Sequence, residues 1–188
     1  MKKLLGLSII GLMVVIGSGS ADAGEKAPQA IIDLAHSTLA KIGTDPIIVK
    51  AVKAENAKGK TLDQIKELDK KWMATAGIAD YMKVLMENEC GKYLRKLHAS
   101  TPYYAEIFVM DNQGANVAMS DKTSDYWQGD EAKFIKSYNN GKGAVFVDEV
   151  KFDNSTQAYL VQVSVPVKDG EKVIGAMTFG INVDKFGK

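Results

Sequence analysis

The sequence predicts an α+β fold: N-terminal helices packed on a five-stranded antiparallel sheet. Three observations carry this expectation. From Pro28 to about Leu97, apolar residues recur every three or four positions, the period of a helix buried along one side. After Thr101-Pro102 the period drops to two, with Gly- and Asx-containing turns between the runs. Helices come first and strands after, rather than alternating, which separates α+β from a parallel α/β sheet.

Each helix has its own punctuation. Ile31, Leu34, Ala35, Thr38 and Ile42 fall on one face of a first amphipathic helix. Asp45 before Pro46 reads as an N-cap with proline at the first helical position, opening a second helix to about Ala57. Lys58-Gly59-Lys60 breaks it. Thr61-Leu62-Asp63-Gln64 is a capping box, starting a third helix with Leu62, Ile65, Asp69 and Trp72 on one face. Gly77 interrupts before a fourth helix, Ile78 to His98, striped by Met82, Leu85, Met86, Cys90, Tyr93, Leu94 and Leu97.

The strands follow. Ala105 to Met110 and Ala115 to Ser120 flank Asp111-Asn112-Gln113-Gly114, a four-residue hairpin turn. A short helical stretch, Ala132 to Tyr138, precedes the Asn139-Asn140-Gly141 turn. Val145 to Phe152 alternates as a third strand. In the fourth, Tyr159, Val161, Val163, Val165 and Val167 share a face opposite Gln162 and Ser164. Lys168-Asp169-Gly170 turns into the fifth, where Val173, Met177, Phe179, Ile181 and Val183 share a face.

The first 23 residues have the grammar of a secretory signal: Met1-Lys2-Lys3, an apolar run from Leu4 to Gly17, and Ala21-Asp22-Ala23 before Gly24. Cleavage after Ala23 is expected, which places residues 24–188 in the periplasm or outside the cell as one domain, helical over about 26–98 and sheet over about 103–184. The alternative is an uncleaved anchor, disfavoured because the apolar run is short for a membrane span.

Composition removes several classes. The chain carries a formal net charge of +1, and losing Lys2, Lys3 and Asp22 brings it near zero, without the basic footprint of a nucleic-acid binder. Cys90 is the only cysteine, so neither a disulfide framework nor a cysteine zinc site is expected; on an apolar stripe it reads as a buried inert thiol. His36 and His98 lie far apart, on different segments. No metal site and no cofactor are expected. Ser/His/Asp order, H-E-x-x-H and a phosphate-cradling glycine loop are missing, so the chain does not read as an enzyme.

The richest stretch is TSDYWQGDE, Thr123 to Glu131. The order strand, D-x-x-G, strand, aromatic loop in EIFVMDNQGANVAMSDKTSDYWQGDE, followed by VDEVKFDNST and VQVSVPVKDGEKVIGAMTFGI, resembles the extracytoplasmic PAS-like sensor domains known as PDC or Cache. The resemblance covers about residues 105–182. It implies sheet order 2-1-5-4-3, with a small molecule held between the sheet and the Thr123–Glu131 segment. The candidate ligand-binding residues are Tyr104, Asp125, Tyr126, Trp127, Gln128, Asp130, Asp153 and Ser155. Tyr126 and Trp127 offer π-faces to a cation, and the aspartates offer charge-assisted hydrogen bonds to an ammonium. Family members that bind amino acids carry an arginine just before the aromatic pair. Here Thr123, Ser124 and Asp125 stand there and Arg95 is the sole arginine, so an amine or small polar metabolite is favoured.

Ending at Lys188, soon after the last strand, the sequence is expected to pass its signal through a separate membrane receptor or signalling protein, with a homodimer along the first helix as a family option. Two alternatives stay open: a protein-interaction module, and a divalent-cation site from Asp121, Asp125, Asp130, Glu131 and Asp153. A plainer reading leaves the acids solvated, with Asp125 or Asp130 capping the Ala132 helix. Trp72 and Asp69 read as a core tryptophan with a nearby acid that bonds backbone or the indole N–H.

Overall fold

The computed structural model describes residues 24–188; the expected signal segment lies outside them. Helix α1 (Gln29–Leu34) runs through a π-helical turn (Ala35–Leu39) into α2 (Ala40–Ile42). The extra residue of that turn moves the buried stripe: Ile31, Ala35 and Leu39 are fully buried, whereas Thr38 is exposed. Helix α3 (Pro46–Asn56) starts as expected, with Asp45 accepting from the Ile47 amide at 2.8 Å. Helix α4 (Leu62–Ala74) carries the complete Thr61/Gln64 capping box.

The expected fourth helix is two. Asn88 ends α5 (Asp80–Glu87) and caps α6 (Glu89–Ala99), accepting from the Gly91 amide at 2.7 Å. Gly91 permits the tight junction, since a Cβ there would meet the Leu85 carbonyl oxygen. Asn88 also donates to the Val117 carbonyl at 3.1 Å, tying the break to the sheet.

The sheet contains β1 (Tyr104–Met110), β2 (Asn116–Met119), β3 (Phe146–Asp153), β4 (Ala158–Asp169) and β5 (Lys172–Asn182). All pairs are antiparallel and the order is β2-β1-β5-β4-β3. Asp111 builds the first turn, accepting from the amides of Gln113 and Ala115 at 2.8 and 2.9 Å. A bulge pairs Val167 with Gly175 and Lys168 with Val173, which leaves Ile174 as the extra residue and turns it, rather than Val173, toward the α1–α3 side. Tyr159 does not join the buried valines of β4. It is 53% exposed and stacks edge-on against Phe152 at 5.3 Å, near the free edge of the sheet.

Two cores lie on opposite faces. One packs α1 to α3 against Val161, Val163, Val165, Met177, Phe179 and Ile181. The other gathers Trp72, Met82, Phe108, Met110, Met119, Tyr126 and Phe134 beneath α4, α5 and α7 (Ala132–Tyr138). No helix among the described residues is long and apolar enough to cross a membrane.

Candidate functional site

The segment Thr123–Glu131 lies on the second face, pinned from both sides. The Asp69 carboxylate reaches up from α4 and accepts from the backbone N–H groups of Tyr126 and Trp127 at 2.8 and 3.0 Å. The Trp72 indole donates to the Thr123 carbonyl at 2.8 Å, and the Trp127 indole donates to the Gln113 carbonyl, also at 2.8 Å. Asp69 and Trp72 thus act through the backbone, as the plainer reading of each expects. Neither Asp125 nor Asp130 caps α7; its N-cap position is Glu131, without a side-chain cap bond.

Pinned this way, the segment becomes one wall of a cavity of about 360 Å³ between α7 and the β3–β4 edge. Ser124, Asp125, Glu131, Lys133, Asp153 and Gln162 line it, with Asp148, Glu149 and Lys151 at its β3 side. It leads to a smaller, almost wholly polar recess of about 60 Å³, shared through Ser124, Lys133, Asp153 and Gln162 and closed by Glu106, Lys122 and Gln128.

Of the eight residues expected from sequence, the structure brings Asp125, Gln128, Asp153 and Ser155 to this cavity and its recess. Tyr126 is buried behind the wall, its ring 5.7 Å from that of Trp72. Trp127 is half-buried, with the Lys66 ammonium 4.7 Å over its ring. Asp130 is exposed. Tyr104 packs on Phe179 at 5.6 Å in the core of the opposite face, away from the loop. Period-two alternation accounts for that placement: Tyr104 pairs with Ile181, a helix-facing residue of β5.

The recess adds residues that sequence reasoning missed. Glu106 of β1 and Gln162 of β4 lie opposite the same residue of β5, Gly180. The missing side chain lets them meet across that strand, Gln162 Nε2 donating to Glu106 Oε1 at 3.1 Å. A glycine inside an otherwise apolar strand was the available signal. Removal from water raises the Glu106 pKa above the ordinary carboxylate value, the Lys133 charge pulls it back, and Asp153 adds to the rise. Asp153 goes the other way: burial alone would raise it, but hydrogen bonds from Ser155 (2.6 Å) and from the amide and hydroxyl of Thr156 (2.8 and 3.0 Å) hold it below the usual range.

Lysines do not neutralise the site. Lys133 pairs with Glu131 at 2.9 Å and Lys151 with Asp148 at 2.8 Å. The Lys122 ammonium is taken by the carbonyls of Thr75 and Gly77, both at 2.8 Å. Asp125, Glu149, Asp153 and Glu106 have no lysine partner among the described residues. Gln128, 1% exposed, donates to the Asp125 carbonyl at 2.9 Å while its own Oε1 is buried without a donor. Of Asp121, Asp125, Asp130, Glu131 and Asp153, three line this cavity, Asp125, Glu131 and Asp153, but among the described residues no three His, Cys, Asp or Glu side chains form a metal-holding group. Cys90 is buried, its thiol pushed up to about 12 by burial and by Asp45 and Glu89.

No protein-family model matches the chain, and no curated protein matches it in sequence. In three dimensions it is similar to the sensor domain of the V. cholerae histidine kinase DctB, at 13% identity and TM-score 0.50, covering 84% of this chain. The chain spans about half (51%) of that domain. More distant likenesses are the sensory domain of the Campylobacter jejuni chemoreceptor Tlp3 with isoleucine bound (18% identity, 84% of this chain and 64% of that one, TM-score 0.41) and the ligand-binding domain of the Pseudomonas aeruginosa chemoreceptor PctC in complex with GABA (12%, 78% and 60%, TM-score 0.37). Strand order and the first of these likenesses define an α+β, PAS-like fold, the fold expected from the PDC/Cache resemblance.

Proposed function

We propose that this chain is a non-catalytic, extracytoplasmic sensor domain that holds a small amine, or a polar metabolite bearing one, in the acid-lined cavity. It reports occupancy to a separate membrane receptor or signalling protein. The observation that carries the reading is the charge balance of that cavity and its recess: after the two lysine pairs are set aside, Asp125, Glu149, Asp153 and Glu106 stand against the single Lys122 ammonium among the described residues, with the unpartnered Gln128 oxygen beside them. An ammonium supplies both the positive charge and the N–H donors that this set lacks.

Thermal denaturation of the exported chain against mono- and diamines, with 1,4-butanediol as the uncharged control, tests this. A ligand at 100 times its dissociation constant adds about 2.7 kcal/mol of stability. The expected result is a rise with one or more amines, none with the diol, and at least a tenfold weakening in Asp153→Asn by the loss of one charge-assisted bond of roughly 1.5–3 kcal/mol. Indifference to every amine in the panel, or an equal response to the diol, would sink the proposal.

A further inference from the structure

Behind the Thr123–Glu131 wall, at the β2 edge beneath α4 and α5, lies a second cavity of about 280 Å³. We propose that it is a second small-molecule site, built for a hydroxylated aromatic acid. Its floor is aromatic. Trp72 and Tyr126, both almost fully buried, meet at 5.7 Å, and Tyr81 stands edge-on to Trp72 at 6.1 Å. Aromatic rings in such edge and tilted arrangements accept a further ring readily. The volume sits at the lower end of the ligand-pocket range, about 300 Å³, which suits a single ring.

A polar requirement is set by Asn116, a 1% exposed residue of the same lining. Its Nδ2 donates to Thr123 Oγ1 at 2.8 Å and to the Asp125 carbonyl at 3.1 Å. Those bonds fix the amide's orientation, since a flipped group would set Oδ1 against a carbonyl oxygen. Oδ1 is consequently a buried acceptor with no partner among the described residues. A ligand O–H or N–H reaching it would complete the pair.

Charge at the mouth then selects the acid. Lys58 and Lys60 both pair with one carboxylate, Glu55, and Lys60 also donates to the Tyr126 hydroxyl at 3.1 Å. Two ammonium groups on one carboxylate leave an excess positive charge, the reverse of the first cavity. A ring with a hydroxyl at one end and a carboxylate at the other satisfies floor, acceptor and mouth together. Nothing in this argument depends on the amine reading of the first cavity.

The two indoles make the test internal. In nitrogen-15 spectra of the exported chain, 4-hydroxybenzoate is expected to shift the Trp72 indole N–H saturably and leave that of Trp127 in place. Benzoate, lacking the hydroxyl for Asn116, is expected to bind about tenfold more weakly. Lys58→Ala is expected to weaken both acids and leave phenol unchanged. Val84→Trp, at a lining position that is 62% exposed on α5, is expected to block the cavity without unfolding the chain. The proposal is overturned if the folded wild type gives no saturable Trp72 shift at millimolar 4-hydroxybenzoate. It is equally overturned if Val84→Trp binds as wild type does, or if benzoate and 4-hydroxybenzoate bind alike. An amine titration on Val84→Trp is expected to match wild type, so the two sites succeed or fail separately.

Discussion

The two faces of the sheet are made of different chemistry. The face under α1 to α3 is mostly a lattice of Val, Ile and Leu with Phe179 and Tyr104, and its cavity of about 240 Å³ between α3 and α6 is lined mainly by Ile47, Ala51, Ala54, Cys90 and surface charges. The face under α4, α5 and α7 is built of Trp, Tyr, Met and Phe, threaded with Asp69, Asn116, Thr123, Gln128, Glu106 and Gln162, and it holds two cavities. Branched aliphatic side chains interdigitate to crystal-like density. Large rings and buried polar groups need geometry as well as volume, and the space they leave is where a ligand fits. On the reading proposed above, the aliphatic face chiefly supplies stability and the aromatic, polar face the binding site.

The sharpest test of this division is Phe179→Ala. Truncating a fully buried phenylalanine on the aliphatic face is expected to cost about 3–5 kcal/mol in denaturant titration, with amine affinity unchanged at temperatures where the variant is folded. A loss of affinity as large as the loss of stability would mean that the faces are not separate. Next comes Asp69→Ala, which leaves the Tyr126 and Trp127 amides without their acceptor. The expected cost is about 2–3 kcal/mol, concentrated in faster hydrogen exchange at those amides, with weaker binding in both cavities. Exchange that speeds equally in β4 would show the wall to be part of the general core.

The smallest effect expected is from Glu106→Gln. The folded pKa of Glu106 lies above its ordinary value near 4.5, so its contribution to stability is present in acid and lost as pH rises through the folded pKa. Glu106→Gln is therefore expected to melt higher than wild type at neutral pH, by about 2 °C if the relief approaches 1 kcal/mol, with the gap closing toward pH 4. The same variant is expected to bind amines less well at neutral pH. A gap that widens in acid would reverse the assigned sign.

The sequence spoke unevenly about these features. The strands, the two strong helix starts and the rich loop are local: Asp45-Pro46, the Thr61/Gln64 box and the Asp111–Gly114 turn act over four or five residues, so they are legible in order. The break at Asn88 was hidden because the apolar stripe runs across it, and the signal was the Asn88/Gly91 pair rather than periodicity. Glu106 and Gln162 stand 56 residues apart and meet only over Gly180, so no spacing joins them. Tyr104, a candidate site residue, is the first residue of β1 and is turned to the other face by strand register.

By itself the sequence determined the α+β class, the antiparallel five-stranded sheet and the concentration of acids and aromatics between β2 and α7, because periodicity, caps and turns act on neighbours. Only the tertiary structure decided what that concentration does. Asp69, from a helix more than fifty residues upstream, grips two consecutive backbone amides and so fixes which way the chain faces there. Asp125 and Gln128 are thereby set toward an acidic cavity and Tyr126 toward an aromatic one, a partition that depends on long-range hydrogen bonds and leaves no local trace in the sequence.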